Sequence, residues 1–218
     1  MRMIDLSHRI SPGMPVYPGT EGPSLREANT IERDGFAEKL VSMYSHTGTH
    51  MDAPAHVIPG APRLDELPVS RFAGRAVVLD ARNLRKGRAK WPKIGVEALS
   101  AIAPRLVGAT FLVIRTGWDA RWGGEDYFEG FPTLDAKAAA AVASVPGLSG
   151  VAVDAISVDP VGARDLPVHR VLLGADLVVV ENLQGLDALG DEAFDLVCLP
   201  LPLSDADGAP VRAVAVLR

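Results

Sequence analysis

Six short runs rich in β-branched residues constrain this chain more than any other feature: Ala76 to Asp80, Phe111 to Arg115, Val151 to Ile156, Leu177 to Glu181, Phe194 to Leu199 and Val211 to Leu217. Each has the length of a buried strand and is too short for an ordinary helix. The segment Ala37 to Ser45 alternates apolar and polar residues and is expected to be a further, half-buried strand. Helical patterns fall between the runs. Val96 to Leu106 is one, with Pro104 expected to end or kink it near its C-terminus. Leu134 to Val145 is Ala-rich, with Thr133 as N-cap and Asp135 favourably placed in the first turn. A short helix is expected from about Pro167 to Leu173, stopping at Gly174. Strands and helices interleave in the middle while both ends are strand-rich, which points to an α/β layered fold rather than a pure sandwich.

With 218 residues, no internal repeat and no low-complexity linker, the chain reads as one domain spanning residues 1–218. Hydrophobic residues at 48% and charged residues at 22% exclude a disordered or fibrous protein. A net charge of −5 argues against a nucleic-acid partner, which needs a basic footprint. The basic cluster Arg82, Arg85, Lys86, Arg88 and Lys90 is the local exception and reads as a solvated loop. Cys198 is the one cysteine, which excludes an intrachain disulfide; its apolar run makes it a small core hydrophobe. The N-terminal residues carry no apolar leader and no stretch reaches the length of a membrane span, so no membrane association and a cytoplasmic location are the default expectations.

The chemistry concentrates between residues 46 and 56. Three of the five histidines, His46, His50 and His56, fall there with Asp52 among them. Imidazole and carboxylate without nearby thiolates suit zinc or manganese and disfavour a structural finger site. In an extended chain these even-numbered positions share one face, but His46 and His50 would then lie roughly 13 Å apart, too far to share one ion. The chain must bend between them, and Gly48 is the residue that tolerates a bend. A helix would also bring the two together, as in the H-E-x-x-H metalloproteases. Thr47 stands where that motif needs Glu, and Gly48, Thr49 and Pro54 oppose a helix, so the protease reading fails.

Further along, Glu181 ends the apolar run Leu177 to Val180, where an acid is costly unless paired with an arginine or bound to a metal. His169, twelve residues upstream, can return to the same place through a helix, a turn and a strand. Asp154 and Asp159 flank another apolar strand and either orient the site or make a turn.

These residues together resemble a known family. His46 to His56 fits the H-x-G-x-H-x-D-x-P-x-H signature of the cyclase-like metal-dependent hydrolases, which include bacterial kynurenine formamidase and isatin hydrolase. Further landmarks are Asp5-Leu6-Ser7-His8, Pro15 to Gly19, Arg115 to Trp118, Asp154 to Pro160, and His169 with Glu181, so the resemblance covers most of the chain. It implies a β/β/α layered domain of the swivelling type and a homodimer whose subunits contribute to each other's pockets. It also implies that His46, His50 and Asp52 bind a first divalent metal, that Asp52 and Glu181 bridge to a second, and that His169 completes the second. His56 matches the family's proton donor and acceptor. Tyr17 stands where the formamidases generally carry Trp, a ring that contacts the substrate.

The expected activity is hydrolysis of a small-molecule aryl formamide, amide or lactam by metal-activated water, with one or two zinc or manganese ions per subunit. His56 is expected to take a proton and return it to the leaving nitrogen. Tyr17 and Trp118 are candidates for an aromatic wall around the substrate, with core packing as the alternative. Two rivals stay open. A metal-dependent cyclase or dehydratase would use the same Lewis acid to enolise a carbonyl, and a non-catalytic protein would use the metal structurally, although such sites are normally closed and rich in Cys.

Overall fold

The computed structural model describes residues 1–86 and 90–217. Among these, twelve strands form: β1 (Arg2–Asp5), β2 (Ser24–Asn29), β3 (Glu38–Ser42), β4 (His50–Asp52), β5 (Ala73–Asp80), β6 (Lys93–Ile94), β7 (Phe111–Arg115), β8 (Thr133–Leu134), β9 (Gly150–Val153), β10 (Val178–Glu181), β11 (Phe194–Pro200) and β12 (Gly208–Leu217). The α-helices are α1 (Ile31–Asp34), α2 (Val96–Ser100), α3 (Ala103–Leu106), α4 (Ala136–Ala143) and α5 (Pro167–Gly174).

Eight strands build one mixed sheet in the order β1-β12-β11-β5-β7-β9-β10-β4, and β4 also pairs with β12. That second pairing closes the sheet on itself, giving a barrel-like body in a mixed α/β fold, as expected from the interleaved strands and helices. The strands β5, β7, β9 and β10 run parallel and are buried on both faces, which explains why their sequences are nearly continuous apolar runs. Alternate residues serve two cores. Ala76, Val78, Phe111, Val113, Ala152, Val178 and Val180 fill the interior of the curved sheet with Met51, Leu196 and Ala213. Val77, Leu79, Leu112, Ile114, Val151, Val153 and Val179 face outward, where Leu99, Leu106, Ala138, Val142, Leu172 and Leu173 of the helices cover them.

Three of the six expected strands form within a residue of their sequence bounds, and β5 and β12 begin three residues earlier than read. The run Val151 to Ile156 stops at Val153, because the buried Asp154 carboxylate leaves the ladder to accept hydrogen bonds from Thr116 N (2.9 Å), Thr116 Oγ1 (2.5 Å) and Gly117 N (2.7 Å). The segment Ala37 to Ser45 does contain a strand, but β3 is exposed throughout rather than half-buried, since it pairs only with β2 in a separate hairpin. Val96 to Leu106 splits into α2 and α3, and Pro104 opens the second helix instead of ending the first; in a first turn its missing N–H leaves no bond unmade. Thr133 belongs to β8, and the N-cap of α4 is Asp135, which accepts from Ala138 N at 2.7 Å. Cys198 is a core residue whose thiol burial pushes up to about 12. Of the basic cluster, Arg82 pairs with Asp80 and Asp187 on the surface, while Arg88 and the side chains of Arg85 and Lys86 lie outside the described residues.

Candidate functional site

The short strand β4 lies antiparallel to β10 on one side and to β12 on the other. Its period of two sends Met51 into the barrel core and leaves His50 and Asp52 together on the opposite face. The register puts Glu181 directly across from His50, so strand pairing alone brings an acid to the imidazole over more than a hundred residues of sequence. Gly48, at φ 67°, supplies the bend that returns His46 to this face, and His46 Nδ1 lies 2.7 Å from Asp52 Oδ1. His50 Nε2 is 3.3 Å from the same oxygen and 3.5 Å from Glu181 Oε2.

His169 arrives on α5. Asp159 accepts hydrogen bonds from the backbone N–H groups of Val168 and His169 at the start of that helix, and from His169 Nδ1 at 2.8 Å. One carboxylate therefore satisfies donors that the helix cannot and also aims the ring. Of the two readings left open for Asp154 and Asp159, Asp159 takes the orienting one and Asp154 the turn. The ring's Nε2 stands 3.2 Å from Glu181 Oε1 and 3.6 Å from Asp52 Oδ2.

Three groups of potential ligand atoms result among the described residues, His46/His50/Asp52, Asp52/His169/Glu181 and the less buried His46/His56/Asp207, and Asp52 belongs to the first two. Its Oδ1 faces the first group, while its Oδ2 is buried without a hydrogen-bond partner. A buried carboxylate oxygen is costly unless something cationic meets it. The outer nitrogen of each imidazole has an acceptor: Asp207 for His46 (3.0 Å), the Gly48 carbonyl for His50 (2.9 Å) and Asp159 for His169. Such outer bonds leave the inner nitrogens as lone-pair donors, the pattern of metal-ligating histidines.

The electrostatics agree. Burial works against charge on all three rings, yet the carboxylates outweigh it: Asp52 above all raises His46 to about 9 and His50 to about 10, and Asp159, with Asp52 and Glu181, raises His169 well above the usual value. Burial also opposes ionisation of Asp52 and Glu181, but the imidazoles hold both below the ordinary carboxylate range. The carboxylates that make these lone pairs attractive to protons do the same for a divalent cation, which competes for them.

A cavity of about 350 Å³ opens over the cluster, lined by His46, His50, His56, His169 and Glu181 on one side and by Tyr17, Thr20, Ile156, Ser157, Arg164 and Leu166 on the other. A larger hollow of about 750 Å³ beside Arg75, Leu189 and Leu217 carries no histidine. His56 follows β4 in the single turn Pro54–His56, and its ring centroid lies 4.2 Å from that of His46. Tyr17 accepts a hydrogen bond from Gly162 N at its hydroxyl and keeps its ring on the cavity wall. Trp118 is elsewhere. Its ring is buried against Phe131, and its indole N–H is satisfied by the Tyr127 carbonyl at 2.8 Å, so core packing replaces the expected substrate wall.

Two residues that matter here escaped the sequence reading. Asn182, in the left-handed region at φ 58°, donates from Nδ2 to the Gly48 carbonyl at 2.8 Å and accepts at Oδ1 from Tyr127 Oη at 2.6 Å, locking the bend between His46 and His50. Asp207 accepts from both His46 Nε2 and His56 Nδ1, each at 3.0 Å, and these bonds hold its carboxyl well below the usual range. Neither carries a local signal; an Asn after a strand and an Asp-Gly before one read only as turn chemistry.

A closed mixed sheet with a buried histidine and carboxylate cluster at one strand's end defines a metal-dependent enzyme of the α/β class. The chain belongs to the Cyclase family, whose model ("Putative cyclase") matches residues 4–160. It is 34% identical to a kynurenine formamidase of Geobacillus thermodenitrificans, over 96% of this chain and 95% of that protein. Isatin hydrolase A from Labrenzia aggregata, solved with benzyl benzoate bound, superposes with a TM-score of 0.87 at 25% identity, covering 100% of this chain and 94% of that one. An isatin hydrolase bound to the product analogue thioisatinate shares the fold at a TM-score of 0.88 and 23% identity, over 99% and 92%. The family read from residues 46–56 is therefore the right one. Among the described residues no helix is long and apolar enough to cross a membrane.

The fifth histidine offers a test outside the cluster. His8 stacks on Trp122 with ring centroids 3.7 Å apart and planes 8° from parallel, and its buried Nε2 has no partner. Burial lowers its pKa from 6.5 to about 4. Below pH 6.5 the unfolded chain takes up a proton that the folded chain refuses until about pH 4, so this contribution to stability is present above pH 6.5 and is lost as pH falls through that window. His8→Phe keeps the stack without the titration. Urea unfolding across this range is expected to show a smaller acid loss for the variant than for the wild type; identical pH dependence would contradict the assignment.

Proposed function

We propose that this protein is a metal-dependent hydrolase that cleaves the carbon–nitrogen bond of an aryl formamide, amide or lactam. The observation that carries the reading is Asp52, whose two oxygens face two separate groups of imidazole and carboxylate donors, Oδ2 being buried without a hydrogen bond and 3.6 Å from His169 Nε2. This donor set, nitrogen and oxygen without sulfur, fits zinc or manganese, and sharing of Asp52 fits two ions per subunit. In this reading His46, His50 and Asp52 hold the first ion, and Asp52, His169 and Glu181 the second. A metal held there supplies Lewis acidity, lowering the pKa of water and polarising the substrate carbonyl. His56, on the cavity wall, takes a proton as the new carbon–oxygen bond forms and delivers it to the nitrogen as the carbon–nitrogen bond breaks. Tyr17 bounds the space for the substrate's ring. The names of the relatives support this substrate class: one curated relative is a kynurenine formamidase, and two solved neighbours are isatin hydrolases.

The experiment is an assay panel of aryl formamides, isatins and lactones, run on protein dialysed against a strong chelator and then supplied with zinc or manganese. Turnover is expected to vanish with the metal and return with it, and a product formed in heavy-oxygen water is expected to carry solvent oxygen. Full activity in verifiably metal-free protein would contradict the proposal. A product without solvent oxygen would favour the cyclase or dehydratase alternative.

The reading also includes one domain over residues 1–218 of the layered swivelling type, a cytoplasmic location and a homodimer. The dimer has a physical support. The β2–β3 hairpin exposes Phe36, Leu40, Val41 and Tyr44, and the nearby β11–β12 connection exposes Leu199, Leu201 and Leu203. A lone two-stranded hairpin is marginally stable in water, and apolar surface of this extent marks an interface. Light scattering is expected to give twice the chain mass of 23.1 kDa, and a monomer at micromolar concentration would count against the dimer.

A further inference from the structure

Among the described residues, Asp207 is the one carboxylate hydrogen-bonded to both a proposed metal ligand and the proposed proton shuttle. Its Oδ2 lies 3.0 Å from His46 Nε2 and 3.0 Å from His56 Nδ1. An ionised carboxylate only accepts hydrogen bonds, so both nitrogens must present N–H to it. That fixes two tautomers at once. On His46, Nδ1 faces Asp52 at 2.7 Å and by the same rule carries a proton in the metal-free protein, so a metal that displaces that proton would find the lone pair on Nδ1. His56 is left with its lone pair on Nε2, the nitrogen not engaged by Asp207.

The backbone holds this carboxylate in place. The Asp207 carbonyl accepts from Ala53 N at 2.8 Å, the Ala206 carbonyl accepts from Leu64 N at 3.1 Å, and Ser45 Oγ donates to Asp207 Oδ1 at 3.3 Å. Gly208 then pairs with Asp52 in the β4–β12 ladder. A side chain at 208 would put its Cβ 2.4 Å from His46 Cε1, so a glycine is required for the strand to pass beneath that ring. The start of β12 is thus built around the seating of His46 and His56.

We infer that Asp207 is a positioning residue that sets the tautomer and orientation of His46 and His56 together, tying metal affinity and proton transfer to one side chain. The inference rests on the hydrolase reading for its catalytic arm, while its metal arm can be measured without turnover. The same three residues can also be imagined as ligands of a cation of their own, since their donor atoms cluster closely. That arrangement would require His46 to bind through its outer nitrogen, turning it from the ions beside Asp52.

The test compares the wild type with Asp207→Asn, His56→Ala and the double variant, with Asp207→Ser as a second substitution if the amide variant does not fold by circular dichroism. Chelator competition is expected to show the zinc affinity of Asp207→Asn weakened by about 10–100-fold at unchanged stoichiometry, as for loss of an outer carboxylate. His56→Ala, in which Asp207 still holds His46, is expected to keep its zinc. On an aryl formamide, Asp207→Asn is expected to lower kcat by about 10–100-fold with KM little changed. With zinc at saturating concentration, so that the loss of affinity through His46 is offset, the double variant should be no slower than His56→Ala, because Asp207 acts on proton transfer through that ring. Unchanged zinc affinity and kcat in Asp207→Asn, or losses that multiply in the double variant, would overturn the inference. So would the loss of a whole zinc equivalent in both single variants, which would make Asp207 and His56 ligands. A wild type that binds zinc but hydrolyses nothing in the panel would instead defeat the hydrolase reading, with the zinc measurements still deciding the His46 arm.

Discussion

The pairing of β4 with two partners is the constraint on which the rest of the site depends. A three-residue strand has little stability by itself, and β4 persists because β10 and β12 hydrogen-bond it from both sides. Those ladders close the barrel and also place the chemistry. Across β10, His50 meets Glu181; across β12, Asp52 meets Gly208, which carries Asp207 beside it. A slip of one residue would reverse the faces, sending Met51 outward and His50 and Asp52 into the apolar core. Met51 in that core is therefore as much a determinant of the site as the ligands.

Burying three imidazoles and two carboxylates together is expensive unless each polar atom is met. The structure meets them in two tiers. Inner atoms face one another around Asp52, and outer nitrogens are held by Asp207, the Gly48 carbonyl and Asp159. Left-handed backbone occurs where this arrangement needs it: at Gly48 between the first two histidines, at Asn182 directly after Glu181, and at Leu166 directly before the helix of His169. Such conformations are unfavourable for Asn and more so for Leu, and they persist where the surroundings over-determine them. Asn182 is held by Tyr127, Thr49 and the Gly48 carbonyl.

The extent to which this was legible in the sequence follows from how local each signal is. His46 to His56 lies in one segment, so its residue types and the need for a bend at Gly48 could be read directly, and the parallel strands announced themselves as apolar runs. Glu181 was legible because an acid closing such a run is anomalous. Asp207 was not, since its role depends on β12 pairing with β4 across roughly 160 positions, and its own neighbourhood says only turn. Local periodicity likewise could not tell that β3 has no partner face within the chain, or that Trp118 turns toward Tyr127 and Phe131 rather than the cavity. Pattern reports which residues share a face, but packing decides what covers it.

Whether Asp52 is shared between two cation sites is tested most directly by anomalous diffraction from crystals of zinc-loaded protein. Two anomalous peaks are predicted on either side of Asp52, one beside His46 and His50 and one beside His169 and Glu181. A single peak away from Asp52, or none at full zinc occupancy elsewhere in the crystal, would contradict the account.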